Sequence, residues 1–440
     1  MKASQSIPRR RFLRAGALAC APLILPSRLF GESAPSRTLN VAIAGCGDRC
    51  RAHAGEFSRL PGVRVVAVCD IWPQRAREAK ANVDKLTRDN HCKTYHDYRK
   101  MMADPEVDIV AIAAPDHWHG LMAVEAANRG KHIYLEKPFA YSIEEGRAVV
   151  EAVKRNGVIL QHGTQQRSTC HFQRATYLAR HGYLGEVDLV YAISPVGPIG
   201  GNPKDTTMPE GYDYEFFTGP APRVPFFREL VVRRGTSGWY FTSAFCGGWI
   251  PAWGSHHVDS AQFALGKDRE APVAVEAEGA YPQTGVFDTC HTWHAEFRYA
   301  DGKRLVYCTT DRPNCPPVRG NIVVAGKRGW VAATRGKTWS NPASLVDRVW
   351  PKDDPELRLM DRGGHSDHFR NFIEAIRSGV PLNAPPEVGH LSTALCHLTS
   401  IAIETQRPLR WDAGSESFPG DPLANRLLGR PMRKPWNLNA

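Results

Sequence analysis

The chain has 440 residues, 42% of them hydrophobic, and a formal net charge of +11 at pH 7. This length and apolar content allow two ordinary domains with proper hydrophobic cores. The segment before Thr38 accounts for +6 of that charge, and no basic cluster interleaved with aromatic residues follows it, so we expect no nucleic-acid partner.

The N-terminus carries a targeting pattern. Arg9-Arg10-Arg11 is a twin-arginine motif, and residues 15–25 then form a short apolar run. A membrane span takes about 20 apolar residues, so we expect no integral span here. The pattern predicts that residues 1–37 are an export signal for the twin-arginine machinery, which places the protein in the periplasm or otherwise outside the cytoplasm. An uncleaved amphipathic anchor is the alternative.

The first apolar run leads into a glycine loop. Residues 39–44 form a nearly continuous apolar segment, which is typical of a parallel strand buried on both faces. Glycines after such a strand let the backbone approach a pyrophosphate, and the next helix offers its N–H groups to the anion. Position 50, where a third glycine is usual, is a small cysteine. We therefore expect a dinucleotide cradle at Gly45-Cys46-Gly47-Asp48-Arg49.

The second predicted strand, residues 63–69, ends at Asp70. A carboxylate about 20 residues beyond the glycines is placed to hold the adenosine ribose hydroxyls. Such a residue favours NAD over NADP, because a 2′-phosphate would meet a like charge. Arg75 and Arg77 follow closely and leave NADP possible, and a simple strand-end cap is the alternative role for Asp70.

A third buried run, residues 107–113, leads to a segment with a proline and two histidines. Ligands of open α/β sheets lie at the carboxyl ends of the strands, so we expect Pro115 and His119 on the nicotinamide side. A metal pair formed by His117 and His119 is the alternative, but no third ligand is evident nearby.

Two further strands bring charged and polar residues to the same edge. Residues 132–135 run into Glu136-Lys137-Pro138, and residues 158–162 precede Gln165. We expect Glu136, Lys137 and Gln165 to contact the cofactor, with Lys137 also facing the chemistry. Lys137 could instead merely pair with Glu136 or Asp116.

From about residue 169 the pattern changes to shorter alternating runs. We predict a nucleotide-binding domain over 38–165, a second domain over 166–412 and a tail over 413–440 that wraps or frays. Residues 339–357 show no strong periodicity. Predicted strands cover 187–194, 273–280, 292–299, 305–309 and 320–325, and predicted helices cover 366–378 and 388–406.

These motifs, in this order, resemble the glucose–fructose oxidoreductase / inositol dehydrogenase / MocA family (Gfo/Idh/MocA). The resemblance covers residues 39–412, and residues 253–259 are similar to the family's second catalytic segment. It implies an α/β fold with an N-terminal Rossmann domain built on a parallel sheet. It also implies a C-terminal α/β domain with an open, largely antiparallel sheet, which forms the substrate wall and often the interface of a homo-oligomer.

The resemblance also suggests the catalytic residues. Oxidising a hydroxyl needs a base for the O–H proton, and His256 is the natural choice. Lys137 could relay protons or, as a cation, stabilise the developing alkoxide. Many family members have Asp where this chain has Ala252, so we expect Asp259 to orient His256 or to accept a substrate hydrogen bond. Alternatively, Asp259 is a helix-start residue without a substrate role.

Neighbouring residues have more ordinary interpretations. His256 and His257 point in different directions, and His257 is expected to be the packing residue. Some aromatic side chains could stack on sugar faces, but most are expected in the core, with one or two in the site. The aromatic residues concerned are Trp239, Tyr240, Trp249 and Trp253.

The sequence thus predicts an NAD(P)-dependent oxidoreductase acting on CH–OH groups of a small-molecule carbohydrate, either a sugar or a polyol. An exported enzyme meets no free nicotinamide pool, so the cofactor should be tightly bound. The first alternative is an NAD-dependent redox-assisted glycoside-cleaving enzyme. The second is a nucleotide-binding protein with little catalysis.

Overall fold

The computed structural model describes residues 38–232, 236–311, 320–347 and 365–438. The predicted export signal lies outside these described residues. Within them, no helix has both the length and the apolar character that crossing a bilayer requires.

Six parallel strands form the sheet of the first domain, in the spatial order β3-β2-β1-β4-β5-β6. They are β1 (Leu39–Ala44), β2 (Val63–Cys69), β3 (Lys93–Tyr95), β4 (Ile109–Ile112), β5 (His132–Leu135) and β6 (Leu160–His162). Strand β1 lies inside the sheet, and its last four residues are fully buried. The prediction of a Rossmann domain with strands buried on both faces is confirmed.

Helices cover both faces of this sheet because successive side chains of β1 point to opposite sides. Val41 and Ile43 pack in one core cluster with Phe57, and Ala42 and Ala44 pack in the other. The helices of this domain are α1 (Asp48–Ser58), α2 (Pro73–Thr87), α3 (Tyr98–Met102), α4 (His119–Asn128) and α5 (Ile143–Asn156).

The second domain contains an eight-stranded sheet in the order β13-β12-β11-β7-β10-β9-β8-β14. Only the β7–β10 pair is parallel, so the predicted largely antiparallel sheet is confirmed. The strands are β7 (Val187–Ser194), β8 (Ala274–Ala280), β9 (Thr292–Arg298), β10 (Arg304–Thr309), β11 (Ile322–Gly326), β12 (Gly329–Ala333), β13 (Thr338–Asn341) and β14 (Leu409–Arg410).

One stretch described as irregular contains a strand. Strand β13 (Thr338–Asn341) covers the first residues of the segment 339–357, where the sequence shows no strong periodicity, and pairs with β12. It is a four-residue edge strand, and its burial does not alternate. A strand without a buried face leaves no period-two pattern in the sequence, which is why it was missed.

The remaining helices surround the second sheet or return to the first domain. They are α6 (Cys170–Arg180), α7 (Tyr214–Thr218), α8 (Trp249–Leu265), α9 (His365–Ser378), α10 (Pro386–Thr405) and α11 (Pro422–Asn425). Helix α8 packs closely against α10: a Cβ added at Gly254 would lie 2.4 Å from the sulfur of Cys396. Only glycine at position 254 allows the two helices to approach this closely.

Two distant segments rejoin the first domain. Phe369 of α9 stacks on Tyr134 of β5, with ring centroids 4.3 Å apart. In the tail, Arg430 donates to Glu145 at 2.7 Å, and Trp436 packs edge-on against Trp118 at 4.8 Å. These contacts join α9 and the tail to residues of the first domain.

Candidate active site

The carboxyl ends of five strands meet at one edge of the first sheet. Ala44 pairs with Cys69 on one side and with Ile112 on the other. Ile112 in turn pairs with Leu135, and Leu135 pairs with His162. The residues that follow each strand therefore converge, as expected for a ligand site of an open α/β sheet.

The glycine loop leaves room for a pyrophosphate. Gly45 adopts φ +93°, and a Cβ there would lie 2.6 Å from the Ala113 carbonyl oxygen, so only glycine fits. Gly47 directly precedes α1, and a Cβ there would meet no atom within 4 Å. This open space lies at the N-terminus of a helix that begins with Asp48 and Arg49. The residues present thus fit a dinucleotide.

Asp70 ties the second strand to this loop. Its carboxylate accepts hydrogen bonds from the backbone N–H groups of Cys46 and Trp72, both at 2.8 Å. Arg75 is one of the two arginines that could have bound the 2′-phosphate of NADP. It instead donates to the Val231 carbonyl at 2.8 Å and stacks over Trp72. Both oxygens of Asp70 thus cap backbone N–H groups, as the strand-end alternative predicts, and binding of the ribose hydroxyls stays a prediction.

Glu136 is the centre of a buried polar cluster. Its Oε1 accepts hydrogen bonds from Arg49 Nε at 3.0 Å, His53 Nε2 at 2.9 Å and Gln165 Nε2 at 3.0 Å. Although burial opposes it, Arg49 and His53 hold the pKa of Glu136 well below its usual range. The structure thus brings together three residues predicted from the sequence as cofactor contacts. Within this cluster, Glu136 positions the side chains of Arg49 and Gln165.

Lys137 reaches from the first domain to the start of the catalytic segment on α8. Its Nζ donates to the Ala252 carbonyl oxygen at 3.1 Å and lies 5.7 Å from the ring centroid of Tyr240. Burial lowers the pKa of Lys137, while the nearby Glu136 and Asp116 carboxylates oppose that shift. An ammonium with a depressed pKa can both stabilise an alkoxide and exchange protons.

His256 lies on the same helix and is 4% exposed. Its Nδ1 is buried and has no hydrogen-bond partner among the described residues. Burial lowers its pKa well below the usual range, and the Lys137 and Arg335 cations lower it further. Burial and the two cations therefore keep the ring neutral, and the same causes make it a weaker base than a free imidazole. His257, in contrast, binds the Ile193 carbonyl at 2.7 Å and packs in the interior, as the sequence predicted.

The segment after β4 mainly supports the site. Both ring nitrogens of His119 lie on backbone carbonyls, of Pro138 at 2.6 Å and of Ala114 at 2.8 Å. His117 contacts the Phe217 carbonyl at 2.7 Å. His119 thus anchors the Lys137–Pro138 turn from behind. The two histidines contact different segments of backbone, and no group of three metal-binding side chains occurs among the described residues.

Pro115 and Asp116 lie nearer to Lys137. Pro115 precedes a short 3₁₀ turn and is half-buried, so it can line the edge of the cleft. Asp116 is 2% exposed and its Oδ2 has no hydrogen-bond partner in the described part of the chain. Burial raises its pKa, an effect that His119, Cys246 and Lys137 oppose. Sequence patterns offered Asp116 only as a possible partner of Lys137.

Asp259 lies behind the site rather than at a helix start. It is fully buried in the middle of α8, and its two oxygens accept from Arg167 Nε at 2.9 and 2.7 Å. Thr164 adds a hydrogen bond at 3.1 Å. No hydrogen bond joins Asp259 to His256 in the described structure, so contact with a substrate would first require this ion pair to break. Arg167 was missed because its partner is 92 residues away in the chain.

The aromatic residues divide between core and site. Trp249 packs edge-on against Phe241 at 4.8 Å and contributes to the core. Tyr240 and Trp253 lie beside Lys137 and Arg335, respectively. Trp239 stacks on Tyr240 at 3.8 Å and supports it.

Arg335 was not predicted from the sequence. It lies in the turn between β12 and β13, and its guanidinium carbon is 5.0 Å from the ring centroid of Trp253. The only local signal is the Arg-Gly pair of a turn between two short strands. Nothing in that signal shows that the turn faces α8.

Comparison with known proteins agrees with this geometry. Residues 39–164 match the sequence model described as "Oxidoreductase family, NAD-binding Rossmann fold" of the Gfo/Idh/MocA family. Residues 200–438 match the model described as "Oxidoreductase family, C-terminal alpha/beta domain". The match to the first model, together with the glycine loop and Asp70, identifies NAD as the cofactor.

Individual relatives cover the chain to different extents. The uncharacterized oxidoreductase YrbE of Bacillus subtilis (strain 168) is 31% identical over 345 residues, which span 78% of this chain and 87% of YrbE. A glycosyl hydrolase family 109 protein of Shewanella sp. (strain W3-18-1) is 31% identical over 172 residues, but these span only 34% of this chain and 38% of that protein.

A solved structure supports the fold over a longer stretch. The WlbA dehydrogenase from Bordetella pertussis, in complex with NADH and UDP-GlcNAcA, has a TM-score of 0.61 and 21% identity. It covers 86% of this chain and 99% of its own. With both family models matched and YrbE similar over most of its length, the chain belongs to the Gfo/Idh/MocA family of NAD-binding oxidoreductases.

Proposed function

We propose that this protein oxidises a hydroxyl group of a sugar, polyol or related carbohydrate by hydride transfer to a tightly bound NAD. The observation that carries the proposal is the meeting of Lys137 with the Ala252–His256 segment at the cofactor edge of the sheet. NAD, when bound, supplies the hydride acceptor. The carbohydrate class is supported by the family resemblance and by the sugar nucleotide bound to WlbA.

Lys137 and His256 divide the proton chemistry in this proposal. Neutral His256 takes the hydroxyl proton, and stabilisation of the resulting alkoxide offsets the low basicity of the buried ring. The Lys137 ammonium lies close enough to lower the pKa of His256 and can hold the substrate oxygen as negative charge develops. Glu136 holds Arg49 and Gln165 in place beside Lys137.

The test is a single-turnover experiment on protein purified from its native compartment. Denaturing a sample and identifying the released nucleotide by mass and absorbance should yield NAD. Adding sugars and polyols to the intact protein should then reduce the bound NAD, which is seen as absorbance near 340 nm. Lys137→Ala and His256→Ala should keep the nucleotide and lose the reduction.

A matched lysine provides the control. Lys154→Ala changes an exposed lysine of α5 and should leave the reduction intact. Protein that is empty and fails to bind NAD at millimolar concentration would overturn the proposal. Wild-type reduction in both site variants would overturn the assigned residues.

The redox-assisted glycoside-cleaving alternative predicts a different net outcome. It returns the hydride to the substrate, so the glycosidic bond breaks and bound NAD ends oxidised. The similarity to the glycosyl hydrolase family 109 protein is too partial to favour that route. Product analysis after many turnovers separates the two: a dehydrogenase changes the oxidation state of the sugar.

We also propose export by the twin-arginine route and assembly into a homo-oligomer. Export is supported by the twin-arginine pattern within residues 1–37. The homo-oligomer is supported by the family resemblance, because the second domain of such proteins often forms the interface. Fractionation of cells and light scattering of the purified protein test these two points.

A further inference from the structure

Arg335 brings an additional cation to the substrate side of the cleft. The turn that carries it is closed by a hydrogen bond from Thr334 N–H to the Lys337 carbonyl at 2.9 Å. This turn places the guanidinium over the face of Trp253, one helical turn before His256 and His257 on α8. The second sheet thus carries the guanidinium to α8, where the charges of Arg49 and Glu136 from the first domain also act on it.

The charges around this cation do not balance. Arg49 is matched by Glu136, as described above. Lys137 donates to a neutral carbonyl, and Asp116 is a buried carboxyl with a raised pKa. Arg335 is exposed, contacts the aromatic face of Trp253 and has no ion pair with a carboxylate among the described residues. The charged side chains that act on it are Arg49, which adds repulsion, and Glu136, which offsets part of it. The cleft beside His256 therefore has an excess of positive charge.

Two buried polar groups beside Arg335 are also unmatched. The indole Nε1 of Trp253 and the Nδ1 of His256 have no hydrogen-bond partner in the described part of the protein. Buried polar atoms without partners are uncommon and often mark a site that a ligand completes. Together with the unpaired guanidinium they indicate a ligand with hydroxyl groups and a negative charge.

We propose that Arg335 binds a carboxylate of the substrate, and that the substrate is accordingly an acidic sugar such as a uronic or aldonic acid. The planar guanidinium matches a carboxylate with two parallel hydrogen bonds, and its stacking on Trp253 fixes its orientation. This inference rests on the proposed function and narrows its substrate class. A cofactor phosphate is the competing anion, because Arg49 beside the glycine loop acts on Arg335, and the NAD content of the Arg335 variant distinguishes the two.

The experiment compares matched neutral and acidic sugars on the NAD-loaded protein. Calorimetry gives the affinity for D-glucose, D-glucuronate and D-gluconate, and absorbance near 340 nm gives the reduction of bound NAD. Wild-type protein should prefer an acidic sugar by about tenfold or more, the range expected for hydrogen bonds to a charged group. Arg335→Gln should remove that preference and leave affinity for the neutral sugar and NAD content unchanged.

Two further variants keep the comparison interpretable. Arg335→Lys should restore part of the preference, because it keeps the charge but not the planar fork. Lys337→Gln should change nothing, since this cation of the same turn lies over Trp339 instead.

The remaining outcomes each contradict a definite statement. Three results would overturn the carboxylate site. They are equal affinity of the wild-type protein for neutral and acidic sugars, an equal loss of affinity for both sugars in Arg335→Gln, and loss of bound NAD from that variant. If neutral sugars still reduce NAD in that case, the proposed oxidoreductase function survives alone. If acidic sugars bind through Arg335 without reducing NAD, the carboxylate site survives and the proposed function fails.

Discussion

The Lys137 ammonium donates a 3.1 Å hydrogen bond to the backbone carbonyl of Ala252, the residue that stands where many family members have aspartate. The carbonyl holds the lysine without neutralising it. Burial lowers the pKa of Lys137, and the neighbouring Glu136, Asp116 and Cys246 oppose that shift. Without a carboxylate at position 252, less negative charge lies near Lys137, so the lysine is easier to deprotonate.

Restoring the aspartate should raise the pKa of Lys137. An anion nearby favours the ammonium form, so Ala252→Asp should shift this pKa upward by about one unit or more. The pH dependence of Lys137 acylation, followed by mass spectrometry of the peptide, measures this without any substrate. Ala252→Asn is the matched control of similar size. Equal shifts in both variants would show that volume, not charge, sets the reactivity.

Substitution of the two loop glycines should affect different properties of the protein. Gly45→Ala forces an alanine into φ +93° and against the Ala113 carbonyl, so it should destabilise the fold by about 1–3 kcal/mol for the backbone conformation alone. Gly47→Ala has an ordinary φ of −74° and open space, and should keep stability within about 1 kcal/mol while weakening NAD binding. Urea unfolding and NAD titration separate the effects. Unchanged NAD affinity in Gly47→Ala would place the pyrophosphate elsewhere.

The Arg167–Asp259 pair should matter for stability more than for chemistry. Breaking a buried ion pair from one side costs about 3–5 kcal/mol, so Asp259→Asn should lower the unfolding free energy by that order. Turnover of the remaining folded protein should fall by less than about tenfold, or about 1.4 kcal/mol in the activation free energy. Unfolding curves and single-turnover reduction of bound NAD measure the two quantities. A loss of reduction with an intact fold would restore Asp259 to the catalytic role predicted from the sequence.

Buried histidines should make the protein sensitive to acid. Burial is the main cause that lowers the pKa of His117, His162 and His257 to about 3, against a usual 6.5. The unfolded chain therefore binds more protons below pH 6.5, and stability present above that pH is lost as the pH falls towards 3. Each of these histidines should lower the free energy of unfolding at pH 5 by about 2 kcal/mol.

His162 offers the sharpest test of this acid effect. Both of its ring nitrogens are buried without a hydrogen-bond partner among the described residues. His162→Leu should therefore reduce the pH dependence of the unfolding free energy between pH 6.5 and 5 by the contribution of about one proton. Urea midpoints across that range measure the slope, with the exposed His91→Gln as control. The same slope in His162→Leu and wild type would contradict the assigned protonation.

Much of the first domain could be predicted because its signals are local. The apolar run of β1 shows that the strand is buried on both faces, and Gly45 marks a backbone that no other residue can adopt. Asp70 follows its strand directly. Each of these features depends on neighbours in the chain, where burial and backbone conformation leave a visible pattern.

Sequence by itself determined the family, the α/β fold with its Rossmann domain and the group of residues at the strand ends. Only the tertiary structure decided how these residues are connected. Glu136 meets Arg49 across 87 residues of chain, and Asp259 turns to Arg167. Arg335 reaches α8 from a turn whose sequence shows no such destination. Such partners are set by how helices and sheets pack, because a side chain far away in the chain leaves no periodic or spacing signal at its partner's position.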